Sequence, residues 1–94
     1  MTYDTRNMPQ LSPGPDVLSQ HYNDSVVLLN LQTDRFFHLN RTGARFWELL
    51  VEGKSLAQIQ ETLSGEFEVD EDQLATQVNA LVAELRAEEL VTAK

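Results

Sequence analysis

The 94-residue sequence predicts an α+β domain: a three-stranded antiparallel β-meander followed by three helices. Two observations carry this expectation. "SVVLLNL" (25–31) and "RFFHLN" (35–40) are apolar runs rich in β-branched and aromatic residues, separated by a short polar break. After them come helix-capping signals at Asn40, Ser55 and Asp70, each followed by apolar residues at helical spacing.

The first strand is expected at 16–23, "DVLSQHYN", where alternation is weak. The second is 25–31. Gln32-Thr33-Asp34 then reads as a three-residue hairpin loop closed by a left-handed residue, a conformation that aspartate tolerates. That loop pairs Leu29 with Phe37 and Val27 with Leu39. Val27, Leu29, Phe37 and Leu39 would then share one face of the sheet, with Val26, Leu28, Asn30, Phe36 and His38 on the other.

Asn40 caps a first helix, 41–52, with Phe46, Trp47, Leu49 and Leu50 on its buried side and Gly53 ending it. Ser55 with Gln58 is a capping-box pattern opening a helix over 55–64 on Leu56, Ile59 and Leu63, stopped by Gly65. Asp70 opens a longer helix to about residue 89. Its Leu74, Val78, Leu81, Val82 and Leu85 recur at i, i+4, i+7, i+8 and i+11 as one apolar stripe. The first fifteen residues hold all three prolines and read as a flexible N-terminal arm; the domain itself runs over 16–91.

Charge and composition narrow the function. The net charge is −8, and residues 48–94 hold all of the excess, eleven acids against three bases. Phosphate backbones need clustered Lys and Arg, so nucleic acid is excluded as a partner. The long helix carries six acids and one base, Arg86, which argues against a winged-helix nucleic-acid binder. No apolar run approaches the length of a membrane span and no signal pattern opens the chain, so a cytoplasmic location away from the membrane is expected. Without cysteine there is no thiolate chemistry. His21 and His38 have no third ligand patterned around them, and neither a nucleophile triad nor a phosphate loop occurs. The protein is read as non-enzymatic, without cofactor or metal.

The third strand of such a meander is an edge, and "RFFHL" carries neither proline nor lysine to block strand pairing. A partner strand is one way to cover it.

The chain resembles the PqqD-like domains, recognition elements that bind the leader peptides of ribosomally made natural products. The resemblance rests on "VVLLNLQTDRFFHLNRTGARFWELLVEGKSLAQIQETL", on "VNALVAEL" and on a terminal "LV", and is densest in "LNRTGARFWELL" (39–50). The Trp-containing form of that stretch is most similar to the stand-alone leader-binding proteins of lasso-peptide clusters. Asp34 and Gln77 depart from the pattern, standing where glycine and aspartate are frequent. The resemblance implies a winged-helix-like PqqD fold. It also implies a leader peptide added as a strand beside the third strand, against the last helix, with a tyrosine and a proline among its anchors.

Candidate leader-contacting residues are Arg35, Phe36, Phe37, His38 and Leu39 on the strand, and Leu74, Val78, Leu81, Val82 and Leu85 on the helix. Of the helix residues, Leu81 or Val82, on opposite flanks, is the better groove candidate. Val26, Leu28 and Phe36 would remain as a docking patch for a leader peptidase or other processing enzyme. The alternative within the resemblance is a chaperone presenting the PQQ precursor peptide to a radical SAM enzyme.

Overall fold

Side-chain caps set the helix boundaries in the computed structural model, which describes residues 11–93. The elements run β1 (Leu11–Pro13), β2 (Val17–Tyr22), β3 (Ser25–Asn30), β4 (Arg35–Leu39), α1 (Arg41–Val51), α2 (Leu56–Phe67), α3 (Glu71–Ala87) and β5 (Val91–Ala93). The expected α+β order is present, with β2, β3 and β4 as the antiparallel meander and α1 to α3 following it.

Asn40 accepts the Gly43 N–H at 2.9 Å and starts α1 directly after β4. The helix ends at Val51 with Glu52 as its cap, and Gly53 follows with φ +90; the Gly53 and Lys54 N–H groups donate back to the carbonyls of Leu50 and Leu49. Ser55 and Gln58 form the reciprocal capping box of α2. Asp70 caps α3 through the Asp72 N–H at 2.8 Å.

Gly65 does not stop α2. A glycine inside a helix costs only about 1 kcal/mol relative to alanine, and the residues beyond it have partners on α1. Glu66 pairs with Arg45 at 2.9 Å, and the Phe67 ring lies 5.2 Å beneath the Arg41 guanidinium. The helix therefore continues to Phe67 and ends where Glu68 turns left-handed.

The β3–β4 register also differs from expectation, by one residue. Asn30 pairs with Arg35, so the loop is the four residues Leu31 to Asp34. Asp34 is left-handed as expected, with φ 57, but its N–H donates to the Asn30 carbonyl, and the Leu31 N–H has left the hairpin for the Asp16 carbonyl. A slip of one residue turns a strand over. Val26 and Leu28, expected on the outward face, are fully buried, while Val27 and Leu29 are only half-buried. On β4 the expected faces hold: Leu39 is buried and Phe37 packs against the core, whereas Phe36 is exposed.

Asn30 also turns inward. Among the described residues it is the one buried polar side chain, and its Nδ2 donates to the carbonyls of Glu88 and Glu89 at 3.0 and 3.4 Å. Its Oδ1 accepts the Gln32 N–H at 2.9 Å. One side chain thus ties the hairpin loop to the C-terminal end of α3.

A second, two-stranded sheet joins β1 to β5, with Leu11 opposite Ala93 and Pro13 opposite Val91. Leu11, within the segment read as an arm, is buried and belongs to the core. Residues 1–10 of that segment lie outside the described residues. The core is otherwise the inward side of β3 and β4 under the stripes of the helices: Phe46, Trp47, Leu49 and Leu50; Leu56, Ile59 and Leu63; Leu74, Val78, Val82 and Leu85.

Candidate functional site

Pairing in the larger sheet follows the order β2-β3-β4, so among the described residues one side of β4 has no neighbouring strand. Inward side chains on β4 are those of alternate residues, Phe37 and Leu39, with Arg35 at the loop end. Beside this edge a groove of about 490 Å³ runs between β4 and α3.

Its apolar lining comes from Leu39, Phe46, Leu63 and Val78, all buried, with half-buried Phe37 on the β4 side and Leu81 on the α3 side. His38, Asn40, Thr42, Gln77 and Glu84 add polar groups. Two small residues, Gly43 and Ala80, also line it. A Cβ on Gly43 would lie 3.2 Å from the Leu39 Cδ2, closer than packed carbons sit, so glycine lets the first turn of α1 press against the end of β4. Because the Asn40 cap fixes the same junction, this part of the lining is held by packing and hydrogen bonding together.

At the opposite end of β4, Arg35 Nε lies 3.3 Å from a Glu88 carboxylate oxygen. The Arg35 side chain is largely exposed, so this bridge supplies little energy, about 0–1 kcal/mol. With the Asn30 bonds beneath it, it holds the end of α3 close to the hairpin.

The titratable groups with displaced pKa values lie away from the groove. Between α1 and α2, hydrogen bonds from Arg45 draw the Glu66 carboxyl below the ordinary glutamate range. Bonds to Glu66 and Glu48 in turn raise the guanidinium above its own. Neither Arg45 nor Glu66 lines the groove. Among the described residues, no group of three or more His, Cys, Asp or Glu could hold a metal ion. Nor is any described helix long and apolar enough to cross a membrane.

Five of the residues singled out by sequence, Phe37, His38, Leu39, Val78 and Leu81, line this groove together. Arg35 stands at the loop end of the same strand. Phe36 points to the opposite face of the sheet and is 72 % exposed. Leu74, Val82 and Leu85 are buried in the core and do not line the groove. Of the two candidate flanks of the last helix, the one carrying Leu81 faces the groove. Gln77 and Glu84 lie on that flank too, at i−4 and i+3 from Leu81, a relation readable from helical spacing. The contributions of Gly43, Phe46 and Leu63 depend on how α1 and α2 pack, for which the linear sequence carries no direct signal.

Residues 25–91, from β3 to the start of β5, match the family model described as coenzyme PQQ synthesis protein D (PqqD). Among solved structures, the chain is similar to TbiB1 in complex with the TbiA(beta) leader peptide. The two are 34 % identical, with 88 % of this chain and 96 % of that one covered, at a TM-score of 0.83. It also shares its fold with a lasso peptide synthetase B1 complexed with the leader peptide. Identity there is 24 %, coverage 88 % and 98 %, and the TM-score 0.79. No curated protein sequence is significantly similar.

Proposed function

The chain belongs to the PqqD family, and we propose that it is a non-catalytic module that captures the leader peptide of a ribosomally synthesised precursor. The leader lies as an added strand beside β4, against α3, and the module presents it to a separate leader peptidase or other processing enzyme. The observation that carries this reading is the conjunction of an unpaired strand edge with an apolar groove along it. Such an edge supplies main-chain hydrogen bonds without regard to sequence, while pockets for alternate side chains supply specificity. The similarity to TbiB1, solved with a leader peptide, supports the same role. The Trp47-containing stretch 39–50 favours a precursor of the lasso type over presentation of the PQQ precursor peptide to a radical SAM enzyme.

In this arrangement Phe37, His38 and Leu39 present the pairing edge and one wall. Val78 and Leu81 receive the inward side chains of the leader, and Arg35 contributes to register and encounter rate. Leu74, Val82 and Leu85 act only by holding α3 in place. The module performs no bond chemistry: its effect is to raise the effective concentration of the precursor at the enzyme.

Amide hydrogen exchange with and without a synthetic leader peptide tests the mechanism. Protection rises on alternate amides of residues 35–39, those pointing off the sheet edge, and the leader's mass is unchanged after incubation. Protection confined to α2, or a cleaved leader in the absence of a second protein, refutes the reading.

A further inference from the structure

Glu84 stands where the local rules of helix formation disfavour an acid. It lies in the last turn of α3, where the negative end of the helix dipole favours cations. Its i+4 neighbour is Glu88, and a like-charge pair at that spacing weakens a helix. The other helical neighbours, Ala80, Leu81 and Ala87, offer no base. Among the described residues the Glu84 carboxylate has neither an ion pair nor a hydrogen bond. Local conflicts of this kind collect at functional sites, where something other than folding offsets them.

Glu84 also borders the groove beside β4, and of the lining residues it alone carries a formal charge at neutral pH. The bases nearby do not balance it. Arg35, at the start of β4, is held by Glu88 at 3.3 Å, so that pair is internally compensated. Arg86, the base of the same helical turn, lies about 200° around the helix from Glu84. It lines a separate depression with Gln32 and Thr92. Arg41 and Arg45 line another, beside the β2–β3 turn. The end of the groove at Glu84 is therefore negative, while Thr42 and Gln77, further along it, are uncharged.

We infer that Glu84 selects leaders carrying a basic side chain on the C-terminal side of their apolar anchor. The inference rests on the leader-binding reading above. The frame supplies the direction. The Arg35–Glu88 bridge and the Asn30 bonds to Glu88 and Glu89 put the C-terminal end of α3 at the start of β4, so the two elements run oppositely. All three described strand pairs are antiparallel. A leader that continues the pattern runs along α3 from Gln77 toward Glu84, with its anchor against Val78 and Leu81. From the midpoint of those two residues to Glu84 the helix rises about 7 Å, the distance between alternate residues of a strand. The basic residue is therefore two positions beyond the anchor, on the same side of the added strand. Its ammonium or guanidinium meets both the carboxylate and the negative end of α3.

The test uses the full-length protein and fluorescent synthetic leader peptides, with affinity read by anisotropy at about pH 8, where histidine is neutral. Each residue of the leader is replaced in turn by lysine, by the uncharged norleucine and by glutamate. At one position, two beyond the apolar anchor, lysine binds roughly three- to fivefold more tightly than norleucine, the range of a part-exposed ion pair. Raising the salt to about 0.5 M removes most of this preference. In Glu84→Gln the preference disappears, while the norleucine peptide keeps its affinity within about twofold. In Glu84→Lys, glutamate becomes the favoured residue at that position. Arg35→Gln frees Glu88 and strengthens the preference for lysine. Without leader, Glu84→Gln melts about 1–4 °C higher than the wild type, because the conflict in the last turn is gone.

A lysine preference that survives Glu84→Gln overturns the inference, and so does a leader scan with no position at which lysine is preferred. A lower melting temperature in Glu84→Gln gives the carboxylate a structural role and overturns it as well. A wild type that binds none of the peptides refutes the leader-binding reading itself, and this inference with it.

Discussion

Leu81 and Val82 are neighbours in sequence with opposite surroundings, and their truncation separates binding from folding. Leu81 is half-buried on the wall of the groove. Leu81→Ala removes three carbons, worth about 2.4 kcal/mol if fully buried at about 0.8 kcal/mol each. With the side chain half-covered in the free protein, about 1 kcal/mol falls on folding. The remainder, about 1–1.5 kcal/mol, appears as leader affinity, a loss of roughly five- to tenfold. Val82 has no exposed surface. Val82→Ala removes two carbons and leaves a small cavity, costing about 2 kcal/mol of stability. In a domain of this size that lowers the melting temperature by about 8–16 °C, while leader affinity stays within about twofold. Fluorescence anisotropy with a labelled leader, at a temperature where both variants are folded, measures one quantity; a thermal melt measures the other. Equal weakening of the leader by both variants refutes the assignment of the Leu81 flank to the groove. So does full affinity in Leu81→Ala.

Two further predictions concern the scaffold. Asn30→Ala removes the donor to the Glu88 and Glu89 carbonyls and leaves the Gln32 N–H without its acceptor. It lowers stability by about 2–3 kcal/mol in urea titration, and an isosteric Asn30→Asp fails to restore it because the carboxylate cannot donate to the two carbonyls. Glu66 titrates below the ordinary glutamate range because Arg45 hydrogen-bonds its carboxylate. A depressed folded-state pKa stabilises above the unfolded value and is lost as pH falls through the folded one. Near neutral pH the wild type exceeds Glu66→Gln by about 0.3–1 kcal/mol, a small figure because the pair is solvent-screened. That advantage disappears on acidification below the usual glutamate range, about pH 4. A constant difference across the titration refutes the link.

Element order, caps and helix stripes were legible in the sequence because each is a local signal. Asn40, Ser55 and Asp70 need only their own next few residues to be read as caps, and Leu56, Ile59 and Leu63 mark one face by spacing alone. The sheet register was not legible, for a reason contained in the residues themselves. Val26-Val27-Leu28-Leu29 is apolar at every position, so alternation cannot choose the inward face, and the choice passed entirely to the loop. In the four-residue loop the Leu31 N–H bonds outside the hairpin, and its acceptor, the Asp16 carbonyl, lies in the turn before β2, far from the hairpin in sequence. The extension of α2 through Gly65 was hidden in the same way, since the residues that favour it lie on α1. At the site, the strand edge and the helix stripe were readable. The flank was not, because Leu81 and Val82 are equally apolar and only the seating of α3 distinguishes them.

The open edge raises a question of restraint, since an unpaired strand is a template for any other strand, including another copy of itself. The position of α3 supplies the answer. Two β4 edges paired antiparallel are related by a two-fold axis normal to the sheet, which leaves both helical layers on the same side of it. Each copy would then confront the other across the groove with its own Leu81 wall and its own Glu84. No free apolar side chain would enter either groove, because Phe37 and Leu39 already pack beneath their own helices. The edge bonds would form, but the groove would stay empty and like charges would converge. A single extended peptide meets neither obstacle: it carries no helical layer, and its alternate side chains are free to fill the space between β4 and α3. The fold thus selects for an isolated strand over a sheet by placing a helix beside the edge, without the lysine or proline that would close the edge to every partner.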